Sequence, residues 1–226
     1  MDVVYSAAGI DTVMVVVNNI DGVDTAVAVV EVLNCNGMPV PYVEDFNAVN
    51  ATYATAFDGG ELPTCWEGTT TGTNPAYAPH VIIPNAYYYF GTLPSYALLM
   101  RAGSDEGFGD MEQVVLPRFT QPLQNLAIAF DYRFEAVSRG TLSVGWLDST
   151  DTFVSVADMT PHAGSYRRDT VSLASVTDSH ARLALRWSYN TSYYAVAIDN
   201  IEVFNPDIAI MQPVVALEQS TRFASW

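Results

Sequence analysis

The pattern that most restricts this chain is its strand-forming periodicity. Val, Ile, Thr, Tyr and Phe recur in short runs broken by Gly, Pro, Asn, Asp and Ser, and no stretch sustains a 3.6-residue apolar period. Such a chain buries its apolar side chains by pairing strands into sheets and packing the sheets face to face. Strands are expected at 43–47, 97–101, 111–116, 126–134, 140–148, 153–158, 166–173, 181–189 and 195–204. Many short strands with turn signals between them predict an all-β fold, a two-sheet jelly-roll β-sandwich. Half of the 226 residues are hydrophobic and 15% are charged, which suits a packed core and not a disordered chain.

Two further strands, TVMVVVNN and TAVAVVEVL within 12–33, flank Asp21-Gly22, a strong hairpin signal. Two strands cannot bury a core alone. The segment therefore belongs to a larger sheet or is the tail of a neighbouring sandwich. Composition breaks at 34–41 (NCNGMPVP) and at Asn205-Pro206-Asp207 frame the rest. The expected organisation is 1–35 as truncated closing strands, 36–41 as linker, 42–204 as the main block, and 205–226 as linker and start of a following segment.

The chain holds 25 Asp and Glu against 9 basic residues, all arginine, for a formal charge of −16. That surplus repels polyanions, so nucleic acid is excluded as a partner and an anionic membrane surface is disfavoured. No apolar run is long enough to span a bilayer, so no membrane insertion is expected. The first residues, MDVVYSAAGIDT, lack the cationic and apolar regions of a secretory signal. In an excised piece of a longer chain that says nothing about compartment. Cys35 and Cys65 are either one disulfide or two buried thiols.

Searches for catalytic motifs find no G-x-S-x-G elbow, P-loop, G-x-G-x-x-G or H-E-x-x-H. His80, His162 and His180 are expected in separate loops, and most of the acids read as solvated. The expectation is a chain that is not an enzyme. A glycosidase or peptidase would need a cleft with converging acids, and the sequence gives no positive sign of one.

One pair of acids stands out by strand parity. In Tyr42-Val43-Glu44-Asp45-Phe46, Glu44 shares a face with Phe46; in Ala197-Ile198-Asp199-Asn200-Ile201-Glu202-Val203, Asp199 shares a face with Ile201 and Val203. If those apolar residues point to the core, both acids face inward, where a carboxylate needs an arginine, a proton or a metal. Carboxylates with backbone carbonyls are what Ca²⁺ takes, so a structural calcium site is expected where the first and last strands of the block meet. The plain alternative is two acids at strand ends in water.

Aromatic density is the second candidate feature. Tyr87, Tyr88 and Tyr89 with Phe90, and Tyr193 with Tyr194, sit in or beside loops. Such rings suit stacking on sugar faces or protein contacts, and equally suit ordinary packing. Trp66 and Trp187 are expected in the core, since Leu183, Leu185 and Trp187 alternate.

Two resemblances organise these readings. Tyr5, Gly9 and the Asp11-Thr-Val-Met-Val-Val-Val and Asp21-Gly-Val-Asp24-Thr-Ala runs resemble the closing strands of polycystic-kidney-disease-type immunoglobulin-like repeats, which implies that the chain starts inside such a repeat. Val43-Glu44-Asp45-Phe46-Asn47, Leu62-Pro63-Thr64-Cys65-Trp66, Leu126-Ala127-Ile128-Ala129-Phe130-Asp131-Tyr132, Gly140-Thr141-Leu142-Ser143-Val144 and Ile198-Asp199-Asn200-Ile201, in that order, resemble the cleaved-adhesin and MAM-like jelly-roll modules of gingipain haemagglutinin regions. That resemblance implies an extracellular or cell-surface module binding carbohydrate or host protein, with Ca²⁺ at Glu44 and Asp199 and further oxygens from Asp45 and Asn47. Residues 67–72 lack the acid-rich loop of a second calcium site, and Asn200 stands where a second Asp is commoner. The alternative role is a passive spacer in a larger secreted protein such as a protease.

Overall fold

The computed structural model describes residues 9–19, 22–32, 35–49, 61–72, 78–82, 95–101, 110–136, 140–189 and 194–209. The hairpin forms as expected. β1 (Gly9–Asn19) and β2 (Gly22–Val32) pair antiparallel along their whole length, turning at a positive-φ Gly22 that a side chain would strain. Among the described residues this ribbon pairs with no other strand. Met14, Val15, Val16, Val17, Val23, Val27 and Val29 are 52–71% exposed, which is what a two-stranded ribbon without a second layer must leave in solvent.

The remaining strands are β3 (Asn36–Met38), β4 (Tyr42–Glu44), β5 (Glu67–Thr70), β6 (His80–Ile82), β7 (Ala97–Arg101), β8 (Met111–Val115), β9 (Arg118–Phe119), β10 (Ala127–Phe134), β11 (Gly140–Leu147), β12 (Phe153–Asp158), β13 (Arg167–Ser172), β14 (Arg182–Tyr189) and β15 (Ala195–Phe204). One antiparallel sheet runs β13-β10-β15-β7-β6, with β4 sharing the second edge of β15. The other runs β12-β11-β14-β8-β5. Apart from the consecutive pairs β6–β7 and β11–β12, strands that neighbour in these two sheets are far apart in sequence, the arrangement of an all-β two-sheet sandwich.

Alternation explains the core. Ile128, Phe130, Tyr132 and Phe134 of β10 face Leu183, Leu185, Trp187 and Tyr189 of β14, and Val196, Ile198, Ile201 and Val203 of β15 close the layer. The rings of Phe130, Tyr132, Phe134 and Trp187 form a chain with centroids 5.7, 5.8 and 5.2 Å apart, spacings at which edge-to-face contacts are favourable. A Cβ at Gly140 would stand 2.5 Å from the Trp187 ring, so β11 needs glycine there to admit the indole. Trp66 and Trp187 are both buried, as expected.

Segment 36–41, expected as a linker for its Gly and Pro, contributes β3, which pairs parallel with β9. The Thr120 N–H donates to the Met38 carbonyl, and Cys35 is bonded to Cys65, so this stretch is tied to the sandwich. Backbone pairing there needs no apolar period, which is why composition alone did not show it. His80, expected in a loop, lies buried on β6.

Candidate functional site

The expected calcium ligands divide between the two faces of one sheet. β15 carries an extra residue opposite β10: Ala129 pairs with Glu202 while Asp131 pairs with Asp199. Asn200, at φ 49°, absorbs that bulge. Ile198 and Ile201 both point into the sandwich, three positions apart, and Asp199 falls on the outer face with Ala195 and Ala197. The expectation that Asp199 shares a face with Ile201 is thereby corrected, because simple alternation cannot foresee a bulge.

Glu44 does turn toward the core, opposite Ile201 on β15, and is half-buried. Its Oε1 accepts the Phe46 N–H at 2.7 Å and its Oε2 the Tyr42 hydroxyl at 3.4 Å. Burial pushes its carboxyl above the ordinary value, against the lowering pull of the Phe46 N–H. Asp45 is exposed; its bonds from the Asn47 side chain and N–H (3.1 Å for the latter) hold its carboxyl below the usual range. Asn47 is exposed beside it.

Asp199 is 2% exposed. It accepts the Ser95 hydroxyl and the Asn200 N–H, and burial, with the charges of Asp131 and Asp45, raises its carboxyl above the ordinary value. Arg168 serves Asp131 and Glu202, and among the described residues no arginine is in ion-pair contact with Asp199. Among the described residues Asp199 and Asp45 thus feel each other's charge with no arginine in ion-pair contact with either. Among the described residues, however, no three His, Cys, Asp or Glu side chains are placed to hold a metal ion together. The donor set fits Ca²⁺ only in part, with Asp199 and Asp45 on one side and Glu44 on the other.

Of the candidate aromatic contacts, Tyr87, Tyr88, Tyr89 and Tyr193 lie outside the described residues, and Tyr194 is half-buried at the foot of β15. The Cys35–Cys65 disulfide decides between the two states left open for that pair and leaves Cys65 without a thiol to act as nucleophile.

Sequence reasoning missed the outer face of the five-stranded sheet. The register lays Thr69, Gln113, Arg186, Ser143 and Asp158 in one row across β5, β8, β14, β11 and β12. Arg186 sits on the central strand. Its Nη2 and Nε donate to Gln113 Oε1 at 2.7 and 3.1 Å, and its Cζ lies 4.0 Å from the Phe153 ring centroid. Ser143 and Ser155 both donate to Asp158, at 2.6 and 3.3 Å. Phe153 can lie flat on this face because Gly145 is beneath it; a Cβ there would come within 2.3 Å of the Val154 carbonyl and 2.5 Å of the ring. Arg182 closes one end, paired to Glu67 at 2.7 Å and Asp151 at 2.9 Å. The signal was present in RLALRWSY, where Arg186 takes the outward parity between two inward residues, but its partners appear only once the register is known.

Two concavities lie elsewhere. One of about 270 Å³ is bounded by Pro117–Leu123 and Asp178–Leu183, and one of about 450 Å³ by Met38, Tyr42, Glu44, Glu61 and Leu62. In the first, Arg118 Nη1 is spent on the His180 carbonyl; in the second, the Tyr42 hydroxyl and Glu44 bond to each other and to Trp66 and Phe46.

No protein-family model matches the chain, and no curated protein matches it. Among solved structures it is similar to the K1 cleaved adhesin domain of Lys-gingipain from Porphyromonas gingivalis W83, with 13% identity, covering 73% of this chain and 97% of that one, at a TM-score of 0.49. The K2 cleaved adhesin domain of Lys-gingipain gives 12% identity, the same 73% and 97% coverage and a TM-score of 0.49. TmCBM61, solved in complex with β-1,4-galactotriose, gives 11% identity, 68% and 97% coverage and a TM-score of 0.42. Cleaved adhesin domains are thus among the structures to which this chain is similar.

Proposed function

We propose that the chain is a non-catalytic carbohydrate-binding module of a secreted or surface-exposed multidomain protein. The observation that carries this reading is the row Thr69–Gln113–Arg186–Ser143–Asp158 on the outer face of the five-stranded sheet. The hydroxyl of Thr69, the guanidinium of Arg186 and the carboxylate of Asp158, the latter two held in place by the buried Gln113 and Ser143, match the donors and acceptors that sugar hydroxyls present. The disulfide supports an oxidising compartment. A glycan array probed with the full chain, in Ca²⁺ and in EGTA, tests the reading. Capture of a defined glycan set is expected; no capture in either buffer would leave the spacer role standing instead.

The same reading includes a structural Ca²⁺ at the strand ends, carried by Asp199 and Asp45 rather than by the whole set with Glu44 and Asn47. Its support is the buried Asp199 carboxylate, with two acids on its side and, among the described residues, no arginine in ion-pair contact with it. An ion that binds only the folded state raises the melting temperature, by about 5–10 °C at a hundredfold excess over Kd for a chain of this size. Thermal melts in Ca²⁺ and in EGTA should differ by that amount, and Asp199→Asn should abolish the difference. Identical melts of the unaltered chain would remove the ion.

A further inference from the structure

Arg186 is unusual in a chain whose formal charge is −16. Arg182, on the same strand and the same face, has two carboxylates within 3 Å. Arg167 and Arg168 also have acidic partners. Arg186 has none among the described residues: its only partners are a neutral amide oxygen and an aromatic face. It is half-buried, and desolvation lowers the hold on its proton. A guanidinium is drawn from water at a cost that an opposite charge normally offsets, yet no carboxylate among the described residues supplies that offset, although acids outnumber arginines widely.

Nor is the side chain loosely placed. Gln113 fixes its Nε–Nη2 side and Phe153 fixes its plane, and Gly145 is the residue that lets Phe153 lie there. The Nη1–Nη2 end of the fork is left without an acceptor among the described residues, and that end engages a carboxylate with two parallel N–H···O bonds.

We propose, resting on the carbohydrate-binding reading, that the outer face of the five-stranded sheet takes a glycan bearing a carboxylate, a uronic acid unit, with Arg186 as the anchor of that carboxylate. A planar carboxylate matches the open end of the fork. The exposed Thr69, Ser155 and Asp158, on either side of Arg186 along the sheet, meet the hydroxyls of the same or adjoining sugars. The surplus of acids elsewhere on the chain disfavours a densely charged polyanion, so at most one carboxylate per sugar suits the face better than clustered sulfates or phosphates. An extended peptide would instead be expected at a sheet edge, where main-chain hydrogen bonds are free; Arg186 lies on the middle strand of five.

The test is calorimetric titration of the full chain with trigalacturonate, with β-1,4-galactotriose as a neutral probe and with an acetylated tetraglutamate peptide. Trigalacturonate should bind about tenfold or more tightly than either, as a charge-assisted bidentate contact implies. Arg186→Met should erase that preference, and Arg186→Lys should restore only part of it, with melting temperatures unchanged in both. If the acidic and neutral sugars bind alike, or Arg186→Met keeps the preference, the carboxylate anchor is wrong while the carbohydrate module stands. Binding of the peptide with neither sugar overturns the glycan assignment, and silence of all three probes together with an empty glycan array overturns both readings. Should Arg186→Met melt lower, Gln113→Leu, which frees the fork without removing the charge, should weaken trigalacturonate binding by a larger factor than galactotriose binding; equal losses for the two sugars would contradict the anchor.

Discussion

Replacing Trp187 by alanine should lower the unfolding free energy by about 3–5 kcal/mol. The indole is fully buried, stacks edge-on to Phe134 at 5.2 Å, and fills the space that Gly140 leaves on the neighbouring strand. Its N–H has no acceptor among the described residues, so the ring contributes through packing alone. Both sheets line the resulting cavity, and neither can collapse into it without breaking register. Urea unfolding followed by tyrosine fluorescence or far-UV circular dichroism should show the midpoint falling with little change in slope. Trp187→Phe should recover part of the loss. Val43→Ala, at a residue 65% exposed on β4, should change stability by less than about 0.5 kcal/mol. Equal effects at Trp187 and Val43 would contradict the placement of the core.

The second large effect is expected from the disulfide. Cys35 and Cys65 are separated by 30 positions, and closing a loop of that size in the unfolded chain is worth about 3–4 kcal/mol on the chain-entropy account. The bond joins the entry segment, which is otherwise held by the short β3–β9 pairing, to the turn before Trp66. The double variant Cys35→Ser/Cys65→Ser avoids a lone reactive thiol and should lose that amount in chemical unfolding. Dithiothreitol should destabilise the unaltered chain and leave the double variant as it is. An unaltered chain indifferent to reductant would contradict the bond.

Strand alternation made the sandwich legible before any coordinates. The stretches 97–101, 153–158 and 195–204 form strands with the boundaries expected, because each is a run of strand-forming residues bounded by turn residues in the sequence. The short pieces β3, β5, β6 and β9 were not legible. Asn36–Met38 and Glu67–Thr70 carry no buried alternating set and are held by their partners' backbones. The calcium reading was half legible for a similar reason: parity placed Glu44 correctly, whereas the bulge at Asn200 moved Asp199 to the opposite face. Arg186 was hidden differently. Its outward parity is plain in the sequence, but its want of a carboxylate is a property of four other strands and their register, which no local pattern encodes.

The claim on which the functional account turns is that ligand engages the outer face of the β12-β11-β14-β8-β5 sheet. Amide chemical-shift mapping of the full chain titrated with trigalacturonate tests it most directly. The account predicts perturbations grouped at Thr69, Gln113, Ser143, Gly145, Phe153 and Arg186. Perturbations grouped instead along the Pro117–Leu123 and Asp178–Leu183 groove, or confined to Tyr194 and its neighbours, would contradict it.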